Sequence, residues 1–84
     1  MAQVHVYYRA ALAEQTGKTE ETIEAATVRD VLHYLKKTYG AQAYQTAKRM
    51  LIAVNNDSIQ LHKGFDTALA DGMTVRFLPI CGGG

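Results

Sequence analysis

The sequence has 84 residues, which is enough for one domain with a small hydrophobic core. Apolar residues make up 48% of the chain, a fraction that is typical of folded domains rather than of disordered ones. Nine Lys and Arg against eight Asp and Glu give a net charge of +1, which argues against nucleic acid as the main partner. The sequence contains no run of about 18 apolar residues, so no membrane span is expected.

The first half of the chain begins with two strand-like segments. In "QVHVYYRA", Val4, Val6 and Tyr8 alternate with their neighbours, which predicts a strand with one buried face. "ALAEQTG" is compatible with a short helical turn that Gly17 ends. "TEETIEA" is rich in Thr and Ile and predicts a second strand, antiparallel to the first.

The clearest element is a helix over residues 27–39. Its apolar residues fall at i, i+3, i+4, i+7 and i+11 and form one stripe: Val28, Val31, Leu32, Leu35 and Tyr39. Thr27 suits the N-cap, Asp30 stands where a capping box needs its acidic residue, and Gly40 suits the position after the end. The next segment, "QAYQTAKR", fits either a short helix or a loop.

The second half of the chain predicts three further strands. "MLIAVNN" is an apolar run that ends in a turn at Asn55–Asp57, and "SIQL" would return from it. A second turn at Asp71–Gly72 precedes the last strand, "MTVRFLPI", in which Pro79 marks the end of regular pairing. The order β-β-α-β-β-β predicts an α+β roll, in which one main helix packs on one face of a mixed sheet.

The second face of this sheet is a candidate docking surface. If Val75 and Phe77 face the helix, Leu78 and Ile80 point away from it, and Tyr7 lies on the same outward face. One helix covers only one face, and exposed apolar patches often mark interaction sites. The alternatives are that a loop covers this face or that its apolar residues are ordinary scattered surface.

The body of the chain carries no recognisable catalytic constellation. The three histidines have no metal-ligand spacing among themselves or with Cys81, so no metal site is expected. No phosphate-binding glycine motif occurs, and Glu20, Glu21 and Glu24 are interpreted as a solvated strand edge. A single cysteine and a start without a secretory signal pattern favour the cytoplasm.

The tail is where chemistry is expected. We predict a domain over residues 1–80 and a flexible tail over residues 81–84, whose full extension reaches at most about 14 Å. The α-carboxylate of Gly84 would be ionised at neutral pH. Such a carboxylate can attack the α-phosphate of ATP in a partner enzyme, and the resulting acyl-adenylate is open to a sulfur nucleophile. The alternative is an inert, frayed end.

Over nearly its whole length the chain resembles the MoaD/ThiS sulfur carriers, most closely the MoaD branch. The specific segments are "LIAVNN" and "LADGMTVRFLPICGGG". In the family pattern a D-G turn precedes an aromatic strand, a Pro-Pro pair, two variable residues and a terminal Gly-Gly. Phe77 holds the aromatic place and Pro79 the first proline, whereas Ile80 replaces the second. Cys81–Gly82 are the variable pair and Gly83–Gly84 the diglycine.

The resemblance implies a β-grasp, ubiquitin-like fold and a non-catalytic carrier that binds no cofactor itself. A MoeB-like adenylyltransferase would adenylate Gly84 with its own ATP and Mg²⁺. A sulfur donor such as a cysteine desulfurase or rhodanese would then give the thiocarboxylate. The charged carrier would dock on a MoaE-like large subunit and deliver sulfur to the pterin precursor of the molybdenum cofactor. The implied site combines Gly83 and Gly84 with these docking residues: Tyr7, Phe77, Leu78, Pro79, Ile80, Cys81 and Gly82.

Three other functions remain open at this point. The first is a carrier for a different sulfur acceptor, such as the thiamin thiazole, a thiolated tRNA base or a tungsten pterin. The second is a ubiquitin-like modifier whose Gly84 forms isopeptide bonds with lysines. The third is an interaction module with an inert tail. The segment around residues 41–49, which the ThiS branch usually lacks, favours the MoaD branch.

Overall fold

The fold is built on a single five-stranded sheet. The structure is a computed structural model, and it describes residues 2–80. The strand order is β2-β1-β5-β3-β4, in which β1 and β5 run parallel and the other neighbours run antiparallel. The strands have these bounds: β1 Ala2–Tyr7, β2 Glu20–Ala25, β3 Leu51–Val54, β4 Asp57–Ser58 and β5 Thr74–Leu78. The predicted mixed sheet is therefore confirmed.

Within residues 2–80, the predicted main helix is accompanied by two shorter α-helices, which fall in the segments "ALAEQTG" and "QAYQTAKR". The helices are α1 Ala10–Thr16, α2 Val28–Tyr39 and α3 Ala41–Arg49. Gly17 ends α1 in the left-handed conformation at φ 74°, as the sequence predicted. The segment "QAYQTAKR" is helical, and its two small residues Ala43 and Ala47 are buried, which lets α3 pack closely against α2.

The main helix begins and ends where the sequence predicts. Thr27 has extended backbone angles, and its hydroxyl accepts a hydrogen bond from the Asp30 backbone N–H at 3.3 Å. The Asp30 carboxylate in turn accepts from the backbone N–H groups of Ala26 and Thr27, which completes a capping box. Lys36 and Lys37 lie in the last turn, where positive charge favours the negative end of the helix dipole.

The hydrophobic core lies between the helices and one face of the sheet. The alternate residues of β1 and β5 that were predicted to point inward are fully buried: Val4, Val6, Val75 and Phe77. The apolar stripe of α2 and Leu12 of α1 cover them. This arrangement is the expected roll with its helices on one face, and it leaves the other face of the sheet for contacts with solvent or a partner.

The hairpin after β3 differs from the prediction in one strand. Asn55 takes a positive φ of 56° in the two-residue connection between β3 and β4, as expected for this turn. In the predicted returning strand "SIQL", only Ser58 pairs with β3, because the chain forms a 3₁₀ helix over Ile59–Leu61. The Ser58 hydroxyl accepts from the Gln60 backbone N–H at 3.3 Å and so caps that turn.

The capping box generates a test of the main helix. Replacing Thr27 by Ala removes the side-chain acceptor of the Asp30 N–H and should lower the free energy of unfolding by about 1 kcal/mol. Urea denaturation measures this loss. The matched control is Thr38→Ala, because Thr38 is exposed within the same helix. Equal stability of the two variants would show that the cap does not contribute.

Candidate functional site

The candidate site is organised by the position of β5 in the sheet. β5 is the middle strand, paired with β1 on one side and with β3 on the other. β1 pairs with β5 as far as Arg76, which lies opposite Tyr7, and β3 pairs with it to the end of the strand, where Leu51 lies opposite Leu78. The chain therefore leaves the sheet at Leu78 from its middle strand. Pro79 follows and is exposed, as expected for a residue that cannot donate to a sheet ladder.

Apolar side chains surround this exit point. Leu78 is half-buried and lies directly opposite Leu51 of β3 in the register. Leu51 is 41% exposed and Ile80 is 67% exposed, which are large fractions for aliphatic side chains. The outward direction that was predicted for Leu78 agrees with the burial of its neighbour Phe77. Ile80 follows the end of β5, and the docking role of both residues stays a prediction.

Next to this apolar group, aromatic and charged side chains cover the outward face. The ring centroids of His5 and Tyr7 lie 4.9 Å apart, and the Arg76 guanidinium lies 5.4 Å from the centre of the Tyr7 ring. His5 Nε2 lies 2.9 Å from a carboxylate oxygen of Glu20, and Arg76 donates to the Asn55 carbonyl oxygen at 3.1 Å. Tyr7 is therefore half-buried in a polar row, and the apolar part of this face is narrower than the sequence suggested.

Phe77 requires a correction. It was included among the docking residues, but its side chain is fully buried on the helix side of β5, with its ring 6.1 Å from that of Tyr8. Because side chains alternate along a strand, Phe77 cannot share the outward face with Leu78. It anchors the strand and offers no surface to a partner. Four further site predictions, those for Cys81, Gly82, Gly83 and Gly84, lie outside the described residues.

Between the edge strand β2 and helix α2, three tyrosine hydroxyls donate hydrogen bonds to one carboxylate. Glu21 of β2 accepts hydrogen bonds from Tyr8 and Tyr39 at 2.6 Å each and from Tyr34 at 2.9 Å. Lys18 Nζ lies 3.4 Å from the same carboxylate. Tyr8 follows β1, whereas Tyr34 and Tyr39 belong to α2. The cluster therefore ties the edge of the sheet to the main helix.

The electrostatics of this tyrosine–glutamate cluster follow from its burial. Burial alone would raise the pKa of the Glu21 carboxyl, but the donated hydrogen bonds of Tyr39, Tyr8 and Tyr34, with the charge of Lys18, outweigh it and lower that pKa. Burial, and then the Glu21 carboxylate, raise the pKa of the Tyr8 and Tyr39 hydroxyls far above the ordinary value of tyrosine. The cluster is a set of neutral donors around one charge, which is a structural arrangement rather than a proton relay.

This cluster was not predicted from the sequence, where Glu21 was interpreted as part of a solvated strand edge. Glu20 and Glu24 are exposed, as expected, but the Glu21 side chain is only 10% exposed. A signal was present in the spacing, since Glu21 alternates in phase with Ile23 and Ala25, which are both buried. The position was therefore recognisable, whereas its three distant tyrosine partners were not.

Two further observations concern metals and membranes. Across residues 2–80, no three His, Cys, Asp or Glu side chains gather in a way that could hold a metal ion. Over the same part of the chain, no helix has the length and hydropathy that a membrane crossing needs.

Comparison with known families identifies the class of protein. The model of the ThiS family matches residues 6–84, which is nearly the whole chain. The chain therefore belongs to the ThiS family of small ubiquitin-like sulfur carriers and modifiers, as its resemblance implied. A comparison with curated protein sequences gives no match.

Solved structures agree with the fold. Small archaeal modifier protein 1 from Methanosarcina acetivorans is 29% identical, with a TM-score of 0.85 over 100% of this chain and 98% of that one. A putative molybdopterin converting factor subunit 1 from Pyrococcus furiosus is 28% identical, with a TM-score of 0.71 over 94% and 98%. A chain from the complex of subunits 1 and 2 of the Helicobacter pylori molybdopterin-converting factor is 23% identical, with a TM-score of 0.68 over 96% and 99%. The β-grasp fold is thereby confirmed.

The tyrosine–glutamate cluster generates a test by substitution and pH. Glu21→Gln removes the charge that three hydroxyls solvate and should lower the free energy of unfolding at neutral pH by about 1–3 kcal/mol. Because the pKa of Glu21 is lowered in the folded state, its stabilisation is present above the ordinary glutamate pKa and is lost as the pH falls through the folded value. Denaturation at neutral and acid pH measures both effects.

The control for this substitution is Glu24→Gln, which changes an exposed glutamate of the same strand. The stability difference between the parent protein and Glu21→Gln should shrink towards acid pH, and Glu24→Gln should resemble the parent protein at neutral pH. A difference that is independent of pH, or equal effects of the two substitutions, would contradict the proposed stabilisation by charge.

Proposed function

We propose that this chain is a sulfur carrier of molybdenum cofactor biosynthesis and acts as the small subunit of a molybdopterin synthase. The observation that carries the proposal is the exit of the tail from the middle of the sheet, with the family match continuing through that tail to Gly84. A rigid central strand fixes where the tail starts, and the last four residues add at most about 14 Å of reach. This geometry suits delivery of Gly84 into the active site of another protein.

The proposed chemistry is placed on the Gly84 carboxylate. One carboxylate oxygen attacks the α-phosphorus of ATP on a MoeB-like enzyme, and pyrophosphate leaves. The outer sulfur of a persulfide on a cysteine desulfurase or rhodanese then displaces AMP and forms an acyl disulfide. A second thiol cleaves the sulfur–sulfur bond, which leaves the thiocarboxylate on the carrier and a disulfide as the oxidised product. ATP and Mg²⁺ belong to the activating enzyme in this scheme, and the carrier binds no cofactor of its own. The setting we propose is the cytoplasm.

Delivery would take place on a MoaE-like large subunit. The similar Helicobacter pylori chain comes from a complex of subunits 1 and 2 of the molybdopterin-converting factor, and this supports the proposed type of partner. Docking is proposed for the outward group of Tyr7, Leu78, Pro79 and Ile80, together with Cys81 and Gly82 of the tail. The glycines suit passage through a narrow channel because they carry no Cβ atom.

A second candidate function has specific support. The archaeal structure that is 29% identical to this chain is described as a small modifier protein, which favours attachment of Gly84 to lysines of other proteins. Both functions begin with adenylation of the same carboxylate. They differ in the final acceptor, which is a pterin precursor for the carrier and a lysine amine for the modifier.

The test of the first step is an intact mass measurement. The chain is incubated with a MoeB-like activating enzyme, ATP, Mg²⁺ and sodium sulfide. Exchange of one oxygen for sulfur should raise its mass by about 16 Da, since the activated carboxylate forms a covalent intermediate that sulfide resolves.

The control is the variant that lacks Gly84, which should fold normally because the sheet ends at Leu78. It should release no pyrophosphate and gain no sulfur. If the truncated chain gains the same mass, Gly84 is not the carrier and the mechanism is wrong.

A further inference from the structure

A groove lies on the surface beside the exit of the tail. It has a volume of about 220 Å³ and runs between the end of α3, β3 and the second 3₁₀ turn, Gly64–Asp66. Its lining is largely apolar and includes these side chains: Met50, Leu51, Ile52, Ile59, Phe65 and Ile80. Ile52 and Ile59 are buried and form its floor, whereas Leu51 and Ile80 remain exposed at its rim. A groove of this size suits one or two apolar side chains.

The groove is tied to the tail by Ile80. Ile80 lines the groove and immediately precedes residues 81–84, whose greatest extension is about 14 Å. Any protein that engages Gly84 must therefore come within about 14 Å of Ile80. A macromolecular partner at that distance would lie over the groove or next to it.

One rim of the groove is cationic. Lys48 lines the groove, and its ammonium lies 5.0 Å from the centre of the Tyr44 ring. The Lys36 ammonium lies 5.1 Å from the same ring, so one aromatic side chain holds two positive charges. None of the described carboxylates forms an ion pair with either lysine.

The sequence around this rim concentrates positive charge. Residues 31–56 contain four cationic side chains and no Asp or Glu, although the whole chain has a net charge of only +1. The four are Lys36, Lys37, Lys48 and Arg49. A local excess of this kind attracts an oppositely charged partner surface and orients it during association. The partner surface that complements this rim is therefore acidic.

We propose that this groove is the docking site for a segment of the activating enzyme that carries one apolar side chain flanked by carboxylates. The apolar side chain enters between Met50, Phe65 and Ile80, and a carboxylate meets Lys48 at the rim. This inference rests on the proposed function, because it takes the enzyme that adenylates Gly84 as the occupant. The groove is then a second docking surface, on the helix side of the sheet edge, beside the outward face around Leu78.

The test compares steady-state kinetics of pyrophosphate release by the MoeB-like enzyme, with the carrier as the varied substrate. Lys48→Glu should raise the KM for the carrier about tenfold or more and leave kcat unchanged, because the rim contributes to docking and not to the chemistry. Added salt should raise the KM of the parent chain and have less effect on that of the variant. Lys48→Arg should keep a KM close to that of the parent.

The matched control is Lys63→Glu, which makes the same charge change at an exposed lysine that lines a different pocket. Its KM should stay close to that of the parent. A further variant, Ile80→Ser, should raise KM even at high salt, since its contact is apolar. Folding of each variant is checked by near-ultraviolet circular dichroism.

The outcomes separate the two claims. If the parent chain supports no pyrophosphate release, the proposed function fails and this inference fails with it. If the parent reacts but Lys48→Glu keeps its KM, the groove is not the docking site. Equal increases for Lys48→Glu and Lys63→Glu would mean that net charge acts through long-range steering, and this would also overturn a local site.

Discussion

The central position of β5 is the constraint on which the rest of the structure depends. β1 and β3 hold the strand on both edges, and Val75 and Phe77 hold it from the helix side by full burial. These contacts fix the point at which the chain leaves the sheet. Both proposed docking surfaces, the outward face at Leu78 and the groove at Ile80, lie around that point.

The tyrosine–glutamate cluster supports the same region through polar contacts. Glu21 binds the edge strand β2 to Tyr8 and to two tyrosines of α2, and the Tyr8 ring packs against Phe77. A buried charge is costly unless donors surround it, and here three hydroxyls and Lys18 provide that environment. The arrangement therefore favours one packing of helix on sheet, since any shift would leave the carboxylate without its donors.

Much of the fold was predictable because strong periodic signals coincide with buried faces. Each of these signals depends on residues that are close in sequence. They are the apolar stripe of α2, its Thr27 cap, and the alternation of buried and exposed residues in β1 and β5. α3 was ambiguous because its buried residues are Ala43 and Ala47, whose small side chains give a weak hydrophobic pattern. The surroundings of Glu21 and the groove at Lys48 depend on residues distant in sequence, so no local pattern revealed them. The burial of Phe77 followed from strand alternation, and its inclusion among docking residues was wrong for that reason.

The central claim is that the tail of this chain donates sulfur to a pterin precursor. The most direct measurement starts with the purified thiocarboxylated chain, mixed with a MoaE-like subunit and the precursor and without ATP. The account predicts that the thiocarboxylate sulfur bonds to the precursor and that water then cleaves the acyl–sulfur bond. The chain therefore loses about 16 Da as its carboxylate is restored, and the sulfur appears in the pterin product. A chain that stays thiocarboxylated while the precursor remains free of sulfur would contradict the account.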